Sequence, residues 1–141
     1  MITFGFSTGS LHKQYTVREA LAFYRKLNFT AVELGFVKKI RVDEGELDEV
    51  TAADLGGFSY VSLHAPTFEY AKNDETKRIF EKIERLHAER RLDLVIFHPD
   101  PIKDFKVFDG VSFPVGIENM DNRKDSFRSA DEIAQLLSDF P

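Results

Sequence analysis

Five short, β-rich apolar runs alternate with five segments that carry helix signals, and this alternation restricts the fold of the 141-residue chain more than any other feature. A strand that leads through a helix into the next strand forms a parallel pair with a right-handed crossover. The expected architecture is therefore α/β with a mainly parallel sheet. No linker or composition break divides it, so residues 1–141 read as a single domain.

The elements can be placed from local chemistry. The first strand is predicted over residues 2–7, ended by Thr8-Gly9-Ser10. Thr16-Val17-Arg18-Glu19 has capping-box spacing, and Val17, Ala20, Leu21, Tyr24 and Leu27 then repeat at helical period. The second strand runs from Phe29 to Leu34 and carries Glu33. Residues 37–57 are acidic and weakly patterned, with one helix expected through Leu47, Val50 and Leu55 before Gly56-Gly57. The third strand is Ser59 to His64. A long helix starts near Asn73 or Asp74, with Ile79, Phe80, Ile83 and Leu86 on one face. The fourth strand, Leu92 to His98, meets Pro99-Asp100-Pro101, which forbids an immediate helix and leaves room for a short turn over 102–108. The fifth strand is Phe113 to Glu118. Ser129-Ala130-Asp131-Glu132 then caps a helix through Ile133, Leu136, Leu137 and Phe140.

Five such units fit two folds: part of a (β/α)8 TIM barrel, or a flavodoxin-like five-stranded doubly wound sheet. Both bury parallel strands on two faces, as the continuous apolar run from Leu94 to Phe97 suggests. Periodicity does not separate them.

Three of the strands end on side chains that bind metals or move protons: His64, His98 and Glu118. In α/β folds the crevice beyond the carboxyl ends of the strands holds the ligand, so these three mark the expected site. Two imidazoles and a carboxylate suit Zn²⁺ or Mn²⁺ and leave coordination positions open. The local spacing matches no metal motif such as H-E-x-x-H. The plainer alternative is two histidines bonded to carbonyls and a glutamate capping a loop amide. Gathered unpaired on one rim, however, the three would cost desolvation energy. Ser7 and Glu33, at the ends of the first two strands, are candidate substrate contacts. His12 and His87 read as surface residues.

Composition narrows the function classes. A net charge of −5 lacks the basic footprint of a duplex-DNA binder, so nucleic acid is an unexpected partner and small polar substrates fit better. The basic clusters at Lys38-Lys39-Ile40-Arg41, Arg90-Arg91 and Arg123-Lys124 read as solvated surface, though one could reach a phosphate. Absence of cysteine confines any metal to nitrogen and oxygen ligands. The apolar runs are shorter than the roughly 20 residues of a membrane helix, and the N-terminus lacks signal-peptide regions, so a cytoplasmic protein without a membrane partner is expected.

Four segments, taken in order, resemble the xylose isomerase-like TIM-barrel superfamily of sugar isomerases and epimerases, which also includes the endonuclease IV type of abasic-site nuclease. They are Ala31-Val32-Glu33-Leu34-Gly35, Ser62-Leu63-His64-Ala65-Pro66, Phe97-His98-Pro99 and Gly116-Ile117-Glu118-Asn119-Met120. The resemblance covers the N-terminal half of such a barrel. It implies a divalent metal (Zn, Mn or Mg): in the nuclease branch His64, His98 and Glu118 are all ligands, and in the isomerase branch Glu118 holds the metal and serves as the catalytic base while His64 and His98 hold substrate or a second metal. It implies a sugar or sugar-phosphate substrate. Family members continue through strands six to eight with further ligands, so the expectation is a fragment or half-barrel that pairs with a missing C-terminal half or with a second copy. A non-catalytic half-barrel that serves as a binding or assembly module is the third reading.

Overall fold

The computed structural model describes residues 4–139; residues 2 and 3 of the expected first strand and Phe140 of the last helix lie outside that range. Five strands, β1 (Gly5–Ser7), β2 (Ala31–Gly35), β3 (Tyr60–His64), β4 (Leu94–Phe97) and β5 (Val115–Ile117), form one sheet. Every neighbouring pair is parallel, and the spatial order is β1-β2-β3-β4-β5. A flavodoxin-like sheet places β1 between β2 and β3, whereas here β1 lies at the edge.

Side chains alternate across the strands, and the alternation separates two chemically distinct faces. Val32, Leu34, Val61, Leu63, Val95 and Phe97 form the buried face, none more than 2 % exposed. They share one core with residues of the covering helices. The opposite face carries Ser7, Glu33, Ser62 and Leu94 in one register row, and Gly35, His64, Ile96 and Gly116 in the next. Leu94 and Ile96 are only half-buried there. The expected burial on both faces is met in β3, where Ser62 and His64 are buried too, while the opposite face of the other strands is partly open among the described residues.

Helix α1 (Val17–Lys26) starts with a complete capping box between Thr16 and Glu19 and buries Val17, Ala20, Leu21 and Tyr24. The single helix expected within residues 37–57 is instead three short ones: α2 (Lys39–Asp43), α3 (Glu46–Glu49) and α4 (Ala52–Leu55). Gly45, at φ 92°, breaks the first from the second, a left-handed conformation that glycine adopts without a Cβ penalty. Thr51 and Asp54 form a second capping box that restarts the chain as α4. The apolar residues Leu47, Val50 and Leu55 face the core as expected; continuity of the helix does not follow from their spacing.

Helix α5 (Asp74–Glu89) is capped by Asn73, whose side chain accepts from the Thr76 N–H at 2.9 Å. It buries Ile79, Phe80, Ile83 and Leu86, each worth about 1.5–3 kcal/mol on removal from water. Between β4 and β5 there is only a 3₁₀ turn, Phe105–Phe108. The cover that a full helix would supply comes from rings: Phe97 packs against Phe108 at 4.8 Å and Tyr70 at 5.3 Å between centroids. Helix α6 (Ala130–Asp139) begins after Ser129, whose backbone N–H and hydroxyl both donate to Glu132, while Glu132 N–H donates back to Ser129 Oγ. Among the described residues no helix is long and apolar enough to cross a membrane.

Candidate metal centre

His64 is the last residue of β3, while His98 and Glu118 each stand one residue beyond their strands. The strand-end positions follow from the ladder. Phe36 N–H donates to the His64 carbonyl at 3.0 Å, Ala65 N–H to Ile96 at 2.9 Å, and Glu118 N–H to Phe97 at 3.0 Å. The backbones of all three residues are thus held by inter-strand hydrogen bonds at or next to them. Loops on either side are tied together as well. Tyr70 N–H donates to Pro101 and Lys103 N–H to Tyr70, while the buried Tyr70 hydroxyl donates to the Pro66 carbonyl at 2.6 Å. Burial pushes the Tyr70 phenol well above its ordinary pKa, so it stays a donor.

The three side chains converge, with one ligand atom of each lying within 4.8 Å of the others. Glu118 Oε2 is 2.9 Å from His64 Nε2 and 3.2 Å from His98 Nε2. The imidazoles meet edge to face at 4.8 Å between centroids. His64 is buried, whereas the Glu118 side chain is 44 % exposed and opens the cluster to the rim.

Tautomers follow from the partners. His64 Nδ1 lies 3.1 Å from the Ala65 carbonyl, which can only accept, so Nδ1 carries the hydrogen. A neutral His64 therefore presents its Nε2 lone pair to a carboxylate oxygen 2.9 Å away. Two lone-pair atoms at that separation require a cation, either a proton or a metal ion. Burial, with the neighbouring His64 adding to it, lowers the His98 pKa against the opposing pull of Glu118 and Asp100. The neutral, metal-binding form of His98 is thereby favoured.

The donor set fits a small divalent ion. Bonds of about 2.0–2.1 Å in a tetrahedral shell place ligand atoms about 3.3 Å apart, close to the observed 2.9 and 3.2 Å. The outer partners are of the kind that orient metal-binding imidazoles: the Ala65 carbonyl on His64, and Thr67 Oγ1 3.4 Å from His98 Nδ1. The His64–His98–Glu118 group is able to hold a metal ion.

Ser7 and Glu33 do not join the trio. Glu33 stands half-buried on the open face and lines a cleft of about 270 Å³ with His64 and Glu118. Ser7 Oγ accepts from Gly9 N–H at 3.2 Å and so caps the 3₁₀ turn after β1. Sequence reasoning missed Thr67, because nothing in its spacing announces that the loop after β3 returns toward β4.

Three expectations of plain surface need correction. Arg41 is 9 % exposed and forms a two-pronged pair with Glu46 at 2.8 and 2.6 Å. Arg90 is half-buried and donates to the Phe58 carbonyl. His87 is half-buried too, and its Nδ1 accepts from Leu92 N–H at 3.1 Å, closing the turn from α5 into β4. In each case the partner lies outside the local helix, where periodicity carries no information.

No family model, curated protein or solved structure matches the chain.

Proposed function

We propose that the chain forms the first five units of a xylose isomerase-like (β/α)8 barrel, and that it contributes a metal centre for isomerisation or epimerisation of a small sugar or sugar phosphate. The observation that carries this reading is the convergence of His64, His98 and Glu118 at the carboxyl ends of three adjacent parallel strands. Sequential strand order supports it, since a barrel wall is built that way.

His64 Nε2, His98 Nε2 and Glu118 Oε2 would hold the divalent ion, whose contribution is to polarise the substrate carbonyl and hydroxyl. Glu118 makes its close contacts through Oε2 alone among the described residues. Glu118 would take a proton from the carbon beside the carbonyl and return it to the neighbouring carbon. In the isomerisation the C–H electron pair would pass into the carbonyl to give an enediolate, the neighbouring hydroxyl proton would move to the former carbonyl oxygen, and protonation of the former carbonyl carbon would leave the carbonyl on the adjacent carbon, so no redox partner is required. Glu33, on the wall of the same cleft, would orient substrate hydroxyls.

A second reading has its own observation. The outer edges of β1 and β5 pair with no other described strand, and Phe6 and Val115 on those strands are 50 % and 36 % exposed. Open strand edges favour association, and five strands do not close an eight-stranded barrel. The chain would then pair with a C-terminal half or a second copy, with turnover appearing only in the assembly, or would serve as a binding or assembly module.

Two measurements test these readings. Metal analysis after dialysis against Zn²⁺ or Mn²⁺ should give one ion per chain, lost in Glu118→Gln and in His64→Ala; no bound metal would overturn the proposal. Ketose epimerisation, assayed beside incision of an abasic-site duplex with the full-length gene product, separates the sugar chemistry from nuclease activity. A metal-free dimer would favour the assembly module.

A further inference from the structure

Next to the metal centre, at the carboxyl ends of β1 and β2, lies a separate cleft of about 380 Å³. Its volume is in the range of small-molecule sites. The lining includes Ser10, His12, Lys38 and Arg41 and contains no carboxylate.

The cations of this segment differ sharply in how they are neutralised. Arg41 is paired with Glu46, and Lys39 with Asp43 and Glu75, each at 2.7 Å. Lys38 has no carboxylate within ion-pair distance among the described residues, and its ammonium lies 3.4 Å from His12 Nε2. The His12 ring is itself oriented. Its Nδ1 lies 2.7 Å from the Gly9 carbonyl and so carries the hydrogen, which turns the Nε2 lone pair toward Lys38. A neutral imidazole thus steadies the ammonium without cancelling its charge.

The floor of the cleft is rigid. A Cβ on Gly35 would come within 2.6 Å of Gly9 N, so the loop after β1 lies directly against β2. Gly35 N–H donates to Thr8 Oγ1 at 2.9 Å and locks that contact. Here glycine at position 35 is required by close backbone approach.

Shared lining residues link the cleft to the open face. Ser7 lines both it and a second cleft that contains Glu33, and Glu33 lines the cleft that contains His64 and Glu118. From these observations we infer that Lys38, held in place by His12, forms with Ser10 an anion subsite that holds the phosphate or carboxylate of the substrate while its carbon chain extends along the sheet toward Glu118. This rests on the proposed sugar chemistry and narrows it to acidic sugars.

The test is an NMR titration of the ¹⁵N-labelled, metal-free chain with ribose 5-phosphate, glucuronate and ribose as probes. The phosphate ester, the carboxylate or both should shift the Gly9, Ser10, Gly35 and Lys38 amides, with ribose leaving them in place. Which acid binds more tightly identifies the source of the anion. Lys38→Ala and Lys38→Glu should weaken the response by about tenfold or more, with Lys13→Ala unchanged. Lys38 is exposed and its side chain caps nothing, so both variants should fold. Equal response to ribose, shifts mapping elsewhere, or an unaffected Lys38→Ala would overturn the inference. Zn²⁺ titrated into the same sample separates the two claims. Metal binding at His64 and His98 without anion binding leaves an isomerase of neutral sugars and removes the subsite; anion binding without metal retains the subsite and removes the metal chemistry.

Discussion

Replacing Tyr70 with phenylalanine should lower stability and loosen the candidate metal site together. Tyr70 is 1 % exposed, and its hydroxyl donates to the carbonyl of Pro66, which is buried as well. Phenylalanine keeps the ring against Phe68 and Phe97, so packing is largely preserved and one buried acceptor is orphaned. Leaving such a group unsatisfied costs about 1–3 kcal/mol. For 141 residues, at about 2.1 cal/mol/K per residue, the unfolding entropy is about 0.3 kcal/mol/K, so Tm should fall by about 3–10 °C. Thr67, adjacent to Pro66, sits 3.4 Å from His98 Nδ1, and relaxation of this loop should weaken Zn²⁺ binding as well. The loss should be about tenfold, as for other outer-sphere changes. Calorimetry of the metal-free protein and a competitive Zn²⁺ titration measure the two effects. A Tm within 1 °C (about 0.3 kcal/mol) of the parent would refute the claim that this hydrogen bond anchors the loop.

The metal-free protein should lose stability as pH falls below the ordinary histidine value of 6.5, because the folded His98 pKa lies lower and the unfolded chain binds the proton first. Unfolding curves between pH 7.5 and pH 5 should show a shallower slope in His98→Gln. Glu46→Ala should destabilise by about 3–5 kcal/mol by leaving Arg41 buried without its partner, and Arg41→Met together with Glu46→Leu should recover most of that loss in urea titrations. Leu63→Ala, at a fully buried position in the central strand, should cost about 2–5 kcal/mol. Leu137→Ala, 61 % exposed, should stay within about 0.5 kcal/mol by the same measurement.

Much of the fold was legible along the chain because the signals concerned are local. Capping boxes at Thr16 and Ser129, the helix start at Asn73 or Asp74 and the proline block after His98 each depend on a few residues, and all appear where the sequence places them. The interval 37–57 was misread because its apolar residues report burial, while the breaks at Gly45 and Thr51 report backbone conformation. His87, Arg41 and Arg90 were misread for the opposite reason: a charged or polar residue on a helix looks solvated until its distant partner is known.

By itself the sequence determined the five parallel strands, the long helices and the three ligand-type residues at strand ends, since these depend on near neighbours and on the parallel connection rule. Tertiary structure decided what those residues amount to. Only the register of β3, β4 and β5 brings His64, His98 and Glu118 within 4.8 Å, a distance set by backbone pairing across 54 residues of chain. Only packing distinguishes Lys38, with no carboxylate partner among the described residues, from Lys39 and Arg41 beside it, because charge neutralisation depends on what the fold places nearby.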